Sequence, residues 1–124
     1  MANDFKSFSK ANIAIDSGTY STVYTVPYTA TPVESILLEI DIANTHASND
    51  ITVDVKVNKN SGGTGGTDDI FIVKAAPVPV GGALKAVSGQ KIVLMSTSTG
   101  ADTVTVAASV ANSADCIVSL LEGV

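Results

Sequence analysis

The chain has 124 residues, of which 45% are hydrophobic and only 15% are charged, and its formal net charge is −5. This length suits one domain whose core needs neither metal ions nor disulfides for stability. The acidic balance argues against nucleic acid as a partner. Binding to phosphates requires clustered basic side chains, whereas the seven basic residues here are scattered.

Valine, threonine and serine are abundant while strong helix formers are scarce, a composition typical of β-structure. No apolar run is long enough to span a membrane. Residues 1–6 lack the apolar region of a signal peptide. We therefore expect a protein that is made in a cytoplasm and has no membrane partner.

Residues 1–12 form a polar leader that contains two aromatic residues, Phe5 and Phe8. We predict an N-terminal arm there, either disordered alone or docked by its two rings, before a single domain over residues 13–124. A short first strand is predicted over residues 13–15. The second strand covers residues 20–26 and ends before a proline, which has no N–H to donate.

The central stretch contains two runs in which every second residue is apolar. A period of two places successive side chains on opposite faces of a sheet, so each run predicts a strand with one buried face. Around a short polar loop the runs predict an antiparallel hairpin, with Asp41 opposite Asp54, Glu39 opposite Lys56, and all three carboxylates facing solvent. The eight apolar residues expected on the buried face are Ile36, Leu38, Ile40, Ile42, Ile51, Val53, Val55 and Val57.

The segment that follows is rich in glycine and proline. Residues 58–69 predict a flexible loop around Gly62–Gly66. Residues 70–75 are all apolar except Lys74, so both faces of a strand in this segment would be apolar. The segment is therefore either a strand covered on both sides or an apolar run whose structure is ambiguous. Residues 77–82 contain two prolines and predict an extended edge or crossing segment, because proline is excluded from central strands.

Four further strands are predicted near the end of the chain. They cover residues 83–87, 90–95, 103–110 and 116–122, and the last two are expected to form a second hairpin. A turn at Ser88-Gly89 separates the first two. Seven to nine short strands without a convincing helix predict an all-β fold, an antiparallel two-sheet sandwich of jelly-roll or Ig-like type.

The polar residues do not form the pattern of a phosphate or metal site. The loop at Gly62–Gly66 lacks the Gly-Lys-Ser/Thr of a P-loop and continues into Asp68 and Asp69, which would repel an anion. These two carboxylates and Asp102 lack the spaced oxygen ligands of a calcium site, so we expect them to be solvated. His46 is expected in an exposed turn, without the partners that a zinc site needs.

No catalytic set stands out either. The only cysteine, Cys116, lies in a predicted strand and is expected to be a buried, inert thiol. Carboxylate pairs from the central stretch could be imagined for glycoside hydrolysis, but the absence of tryptophan and the presence of only three tyrosines leave few platforms for a sugar. We therefore predict a non-enzymatic protein with no catalytic residue, cofactor or metal ion.

Six stretches together form a pattern seen in a known family: residues 5–8 (FKSF) and 23–27 (VYTVP), the central residues 40–55, and residues 76–82 (APVPVGG), 90–94 (QKIVL) and 119–122 (SLLE). In these stretches the chain resembles small virion structural proteins of tailed bacteriophages, particularly marine and cyanobacterial ones. The resemblance covers nearly the whole chain and carries no active-site residues.

This resemblance implies a virion protein that is made and assembled in the host cytoplasm. The leading hypothesis is a capsid decoration or cement protein on the major capsid protein or another virion protein. It would form a homo-oligomer, for which a trimer with ring-closing contacts is favoured. Contacts with neighbours are expected from the arm and from the proline edge, at Phe5, Phe8, Pro77, Val78, Pro79 and Val80.

Two other functions stay open. The first is a tail, baseplate or fibre adaptor built on the same domain. The second is a carbohydrate-binding module for host adsorption, which would need Tyr20, Tyr24 or Tyr28 lined up on a concave face. Alternation instead places Tyr20 and Tyr24 on the same side as Val26, towards the core.

Overall fold

The computed structural model describes residues 4–15, 20–60 and 68–123, and its described residues form nine strands and no helix. The predicted all-β fold class is confirmed. The strands are β1 (Asp4–Lys10), β2 (Ser21–Thr25), β3 (Val33–Asn44), β4 (Ile51–Asn58), β5 (Asp69–Val78), β6 (Ala83–Thr97), β7 (Gly100–Ala101), β8 (Thr103–Ala108) and β9 (Ala114–Glu122).

The strands form two antiparallel sheets that pack as a sandwich. The five-stranded sheet has the order β1-β9-β3-β6-β7, and the four-stranded sheet has the order β2-β8-β4-β5. Apart from the two-residue β7, the strands pair in a nested way: β1 with β9, β2 with β8, β3 with β6, and β4 with β5. This is the connectivity of a jelly roll, one of the two arrangements that the sequence left open.

Both predicted hairpins are wrong, because β3 and β4 lie in different sheets, as do β8 and β9. The loop after β3 crosses from one sheet to the other instead of turning back beside it. Glu39 therefore does not face Lys56, and its partners in the neighbouring strands are Ser88 and Ser119. Alternation identifies the buried face of a strand, but it does not identify the strand that lies beside it.

A β-bulge at Leu38 changes which residues of β3 are buried. The registers with β6 and with β9 both shift between Leu37 and Glu39, so Leu38 has no partner in either neighbour. The prediction that Ile36 and Leu38 belong to the core is therefore wrong, and both lie on the outer face. The buried residues are Val33, Ser35 and Leu37 before the bulge and Ile40, Ile42 and Asn44 after it.

The alternation of β4 is confirmed, and its four apolar residues Ile51, Val53, Val55 and Val57 are all buried in the core. The same strand contains an unexpected buried carboxylate, Asp54, which is only 4% exposed. The Tyr20 hydroxyl and the Ala75 N–H donate hydrogen bonds to its two oxygens, at 2.8 and 2.6 Å. These hydrogen bonds compensate for the solvation that the Asp54 carboxylate loses on burial. The sequence alone did not indicate that Asp54 would be buried.

The predicted N-terminal arm forms an edge strand in its described part. All seven residues of β1 pair in continuous register with β9, from Asp4 opposite Glu122 to Lys10 opposite Cys116. The short strand predicted over residues 13–15 is reduced to an isolated bridge between Ile15 and Ala108.

The two strands predicted on either side of Ser88 are one long strand, β6. The predicted turn is a bulge within it, where Gly89 and Lys91 have φ values of +82° and +62°. Residues 89–91 lie opposite Leu38, so the irregular parts of β3 and β6 meet. The proline-containing segment ends β5, which is an edge strand as predicted.

Candidate interaction surfaces

The outer face of the five-stranded sheet carries four apolar side chains in a line across four strands. Phe5 of β1 lies opposite Leu121 of β9. Leu121 also lies opposite Ile36 of β3, which in turn lies opposite Val93 of β6. Phe5 is 79% exposed, Val93 is 49% exposed, and the two middle residues are partly exposed. Because directly opposed residues share a face of the sheet, these four residues form one continuous strip, here called the apolar row.

Alternation and the bulge explain why the apolar row faces outwards. On β9, Leu120 and Glu122 are buried, so Leu121 between them points away from the core. On β3, the bulge leaves Ile36 on the outer face. Leu38 and Phe5 line a shallow depression of about 280 Å³ on this surface.

Charged residues lie further along β3 and β6, beyond Leu38, on the same sheet as the apolar row. Lys85 Nζ lies 3.1 Å from Asp41 Oδ1 and 3.8 Å from Glu39 Oε2. The hydrogen bond to Asp41 and its negative charge raise the pKa of Lys85, and the neighbouring Asp41 raises the pKa of Glu39. These pairs are exposed to solvent, so they contribute little to stability and mainly give this region charges of both signs.

The two aromatic residues predicted to contact neighbours lie on opposite sides of β1. Phe5 points outwards in the apolar row. Phe8 is partly buried, and its ring centroid lies 4.8 Å from that of Tyr24 in a tilted arrangement with an interplanar angle of 46°. The structure therefore leaves Phe5 accessible and uses Phe8 to anchor β1 to the core.

The residues of the proline edge also differ in their exposure to solvent. Pro77, Pro79 and Val80 are exposed, Val80 by 45%. Val78 is completely buried, and its carbonyl accepts a hydrogen bond from Asn44 Nδ2 at 3.0 Å. Three of the four predicted contact residues in this segment are thus available to a neighbour, and the side chain of Val78 is not.

The outer face of the four-stranded sheet carries a cluster of aromatic rings and lysines. Lys56 Nζ lies 4.3 Å from the ring centroid of Tyr20 and 5.5 Å from that of Phe71. Lys74 Nζ lies 4.5 Å from the centroid of Phe71. Phe71 is 41% exposed and Ile70 beside it is 50% exposed, so part of the apolar stretch over residues 70–80 is left uncovered. The short distances between ammonium groups and rings favour cation–π attraction.

The three tyrosines do not line up on one surface. Tyr24 is buried in the core, as alternation predicts. Tyr20 is half-buried in the lysine cluster on the outer face, contrary to the prediction, because the register of β2 shifts between Thr22 and Tyr24. Tyr28 is 38% exposed and donates a hydrogen bond to the carbonyl of Ala30.

A buried polar network ties β1, β2, β3 and β9 together. Glu122 accepts hydrogen bonds from the Tyr24 hydroxyl at 2.6 Å and from Lys6 Nζ at 2.7 Å, and the Tyr24 hydroxyl lies 2.9 Å from Ser35 Oγ. Burial and the bond to Glu122 raise the pKa of Tyr24. Burial alone would raise the pKa of Glu122, but the hydrogen bonds from Lys6 and Tyr24 outweigh it and hold that pKa below its usual range.

Asp102 is completely buried, so the expectation of a solvated loop carboxylate is wrong for this residue. It accepts hydrogen bonds from Lys59 Nζ at 2.6 Å, from the Asn60 N–H at 2.8 Å and from the Met95 N–H at 3.0 Å. Burial opposes the charge, but these donors hold the pKa of Asp102 below its usual value. The carboxylate organises a loop and is not free to bind calcium.

Over residues 4–15, 20–60 and 68–123, no group of three or more His, Cys, Asp or Glu side chains could hold a metal ion. Cys116 is buried as predicted, and burial raises the pKa of its thiol to about 12. His46 caps a loop, because its Nδ1 accepts hydrogen bonds from the N–H groups of Ser48 and Asn49. The predicted glycine loop Gly62–Gly66 lies outside the described residues.

No helix in the described part of the chain is long and apolar enough to cross a membrane. Comparisons of the chain with protein-family models, with curated proteins and with solved structures found no match in any of the three.

Proposed function

We propose that the protein is a non-enzymatic virion structural protein of a tailed bacteriophage that binds the head surface as a decoration or cement protein. The observation that carries this proposal is the apolar row, which crosses four strands on a face that no other described part of the chain covers. Exposed apolar strips with a polar border are typical of surfaces that bind another protein.

The exposed residues favour two separate contacts. Phe5 and the rest of the apolar row would bind the major capsid protein or another virion protein. Pro77 lies in β5 of the other sheet, Pro79 and Val80 follow directly after that strand, and all three would contact a neighbouring copy. A ring such as the favoured trimer needs two different surfaces on each protomer, and the proline edge would supply one of them.

The family resemblance and the fold also support this proposal. The resemblance to phage virion structural proteins covers nearly the whole chain. Jelly rolls are common in viral capsid proteins, although they also occur in lectins, so the fold by itself does not determine the function.

The proposal is tested by measuring where the protein occurs in purified virions of a phage that encodes it. Quantitative mass spectrometry of separated heads and tails should find many copies per particle in the head fraction. A few copies in the tail fraction would instead support the adaptor function. Absence from both fractions would contradict a virion role.

A carbohydrate-binding module is a second candidate, favoured only by the exposed ring of Phe71 beside Tyr20. Lys56 already lies against both rings, so a sugar would have to displace its ammonium group. Binding of host polysaccharide that is lost in Phe71→Ala would support this candidate over the decoration function.

A further inference from the structure

The two sheets end in four edge strands, and three of them are irregular or very short. β2 has a register shift beside Val23. β5 has two register shifts, a residue with positive φ at Ala75, and Pro77. β7 has only two residues, and the part of β6 that it leaves uncovered contains a bulge with positive φ at Gly89 and Lys91. Bulges, prolines and short length are three of the devices that keep sheet edges from pairing with other chains.

The remaining edge strand, β1, has none of these features. Its seven residues pair with β9 without a register shift, and they include no glycine, proline or positive φ. β9 is its only hydrogen-bonded neighbour among the described strands. Six of the seven residues are exposed, and Phe8 is the exception. The free side of β1 therefore presents a regular row of N–H and C=O groups with which no other described strand pairs.

We propose that β1 pairs in antiparallel orientation with β1 of a second copy of this chain, about a two-fold axis at Ser7. The pairing joins two five-stranded sheets into one continuous sheet. This contact, here called the β1 contact, is self-complementary because the same strand is used by both protomers.

Charge complementarity selects the register. A pairing centred on Ser7 uses all seven residues and places Asp4 opposite Lys10 of the second copy, twice in each dimer. A centre at Lys6 places two copies of Lys6 face to face, and a centre at Phe8 places Lys6 opposite Lys10. Like charges in directly opposed positions are destabilising, whereas opposite charges stabilise a pair of strands.

The two remaining centres, Phe5 and Ser9, would pair only three described residues of each strand. The charged groups that the Ser7 register uses are also available. Asp4 and Lys10 are exposed and form no ion pair with another described residue, whereas Lys6 is already bound to Glu122. The register at Ser7 is therefore favoured by both its length and its charges.

This inference goes beyond the proposed function and does not rest on it. The β1 contact uses backbone groups at one edge of the five-stranded sheet, whereas the proposed decoration role uses the apolar row and the proline edge. A two-fold contact between β1 strands can coexist with a ring-closing contact elsewhere on the protein. The test therefore detects the β1 contact directly and does not depend on the total mass of the assembly.

Cysteine cross-linking of the full-length protein tests the β1 contact and its register. Directly opposed residues have Cα atoms about 4.5–5.5 Å apart, which suits a disulfide. Ser7→Cys should therefore form a covalent dimer on mild oxidation. Phe5→Cys and Ser9→Cys should each remain monomeric alone, since like positions lie about 13 Å apart along the strands, but should cross-link when mixed. The wild type, with its buried Cys116, is the control.

Exchanging the charges at positions 4 and 10 tests whether the Asp4–Lys10 pairs stabilise the β1 contact. In the Ser7→Cys background, Asp4→Lys should slow cross-linking about tenfold, because two attractive pairs become repulsive. Adding Lys10→Asp should restore the rate, since the opposite charges are then exchanged between the strands. Cross-linking of Phe5→Cys alone, or a folded Ser7→Cys variant that stays monomeric under the same oxidation, would overturn the proposal.

Discussion

Tyr24 and Glu122 place polar groups inside a core that is otherwise almost entirely aliphatic. The hydroxyl of Tyr24 reaches Glu122 at 2.6 Å and Ser35 at 2.9 Å, and Lys6 closes the network at the edge of the sheet. A buried network of this kind is stabilising only while every member has a partner. It also explains why β1, a strand of mostly polar residues, is held against the sandwich.

Replacing Tyr24 by phenylalanine tests the network. Tyr24→Phe removes the donor to Glu122 Oε2 and the hydrogen-bond partner of the Ser35 hydroxyl, and it should lower the free energy of unfolding by about 1–3 kcal/mol. Tyr28→Phe is the matched control, because that hydroxyl is exposed and bonds only to a nearby carbonyl, and its change should stay within about 0.5 kcal/mol. Denaturant titration measures both values, and equal effects would contradict the structural role of the network.

Burial of polar residues was the least predictable property at this scale. Asp54 and Asp102 were expected in solvent but are buried. Tyr20 was expected on the core side but is half-buried on the outer face. Their burial depends on partners distant in sequence, such as Lys59 for Asp102. The apolar residues of β4 were predictable, because alternation depends only on neighbours along the chain.

At the scale of single elements, the bulge in β3 determines what the outer face presents. It places Leu37 in the core and Leu38 outside, and it turns Ile36 into a member of the apolar row. The sequence could not show this, because Leu37 and Leu38 are identical residues and the surrounding alternation is equally regular with Leu38 inside.

Truncating these two leucines separately tests the bulge. Leu37→Ala removes a completely buried side chain and should lower the free energy of unfolding by about 2–5 kcal/mol. Leu38→Ala changes a partly exposed side chain and should cost no more than about 1 kcal/mol. Both variants are compared by denaturant titration, and the opposite order would mean that the alternation continues without a bulge.

The edge strand β1 was missed for a related reason. Its composition favours neither strand nor helix, and its backbone is ordered by β9, which lies at the other end of the chain. The same long-range pairing explains the wrong hairpins. In a jelly roll, consecutive strands cross between sheets, so the nearest run of alternation along the chain is seldom the partner.

For the whole molecule, the sequence predicted the fold class and a range of seven to nine strands, but the two hairpins that it predicted are wrong. The nested pairing of β1 with β9, β2 with β8, and β3 with β6 brings together residues from opposite ends of the chain. The apolar row exists only because of this pairing, since its four members come from four strands. No local pattern could have identified it, although Phe5 was singled out as a contact residue.

The measurement that tests the central claim most directly is binding of the purified protein to phage heads that lack it. Val93→Ser replaces one of the four apolar side chains of the apolar row and should weaken binding about tenfold. Val110→Ser changes a valine that is 36% exposed in the turn before β9, and it should bind like the wild type. Equal binding by the wild type and by a folded Val93→Ser variant would contradict the assignment of the apolar row as the particle contact.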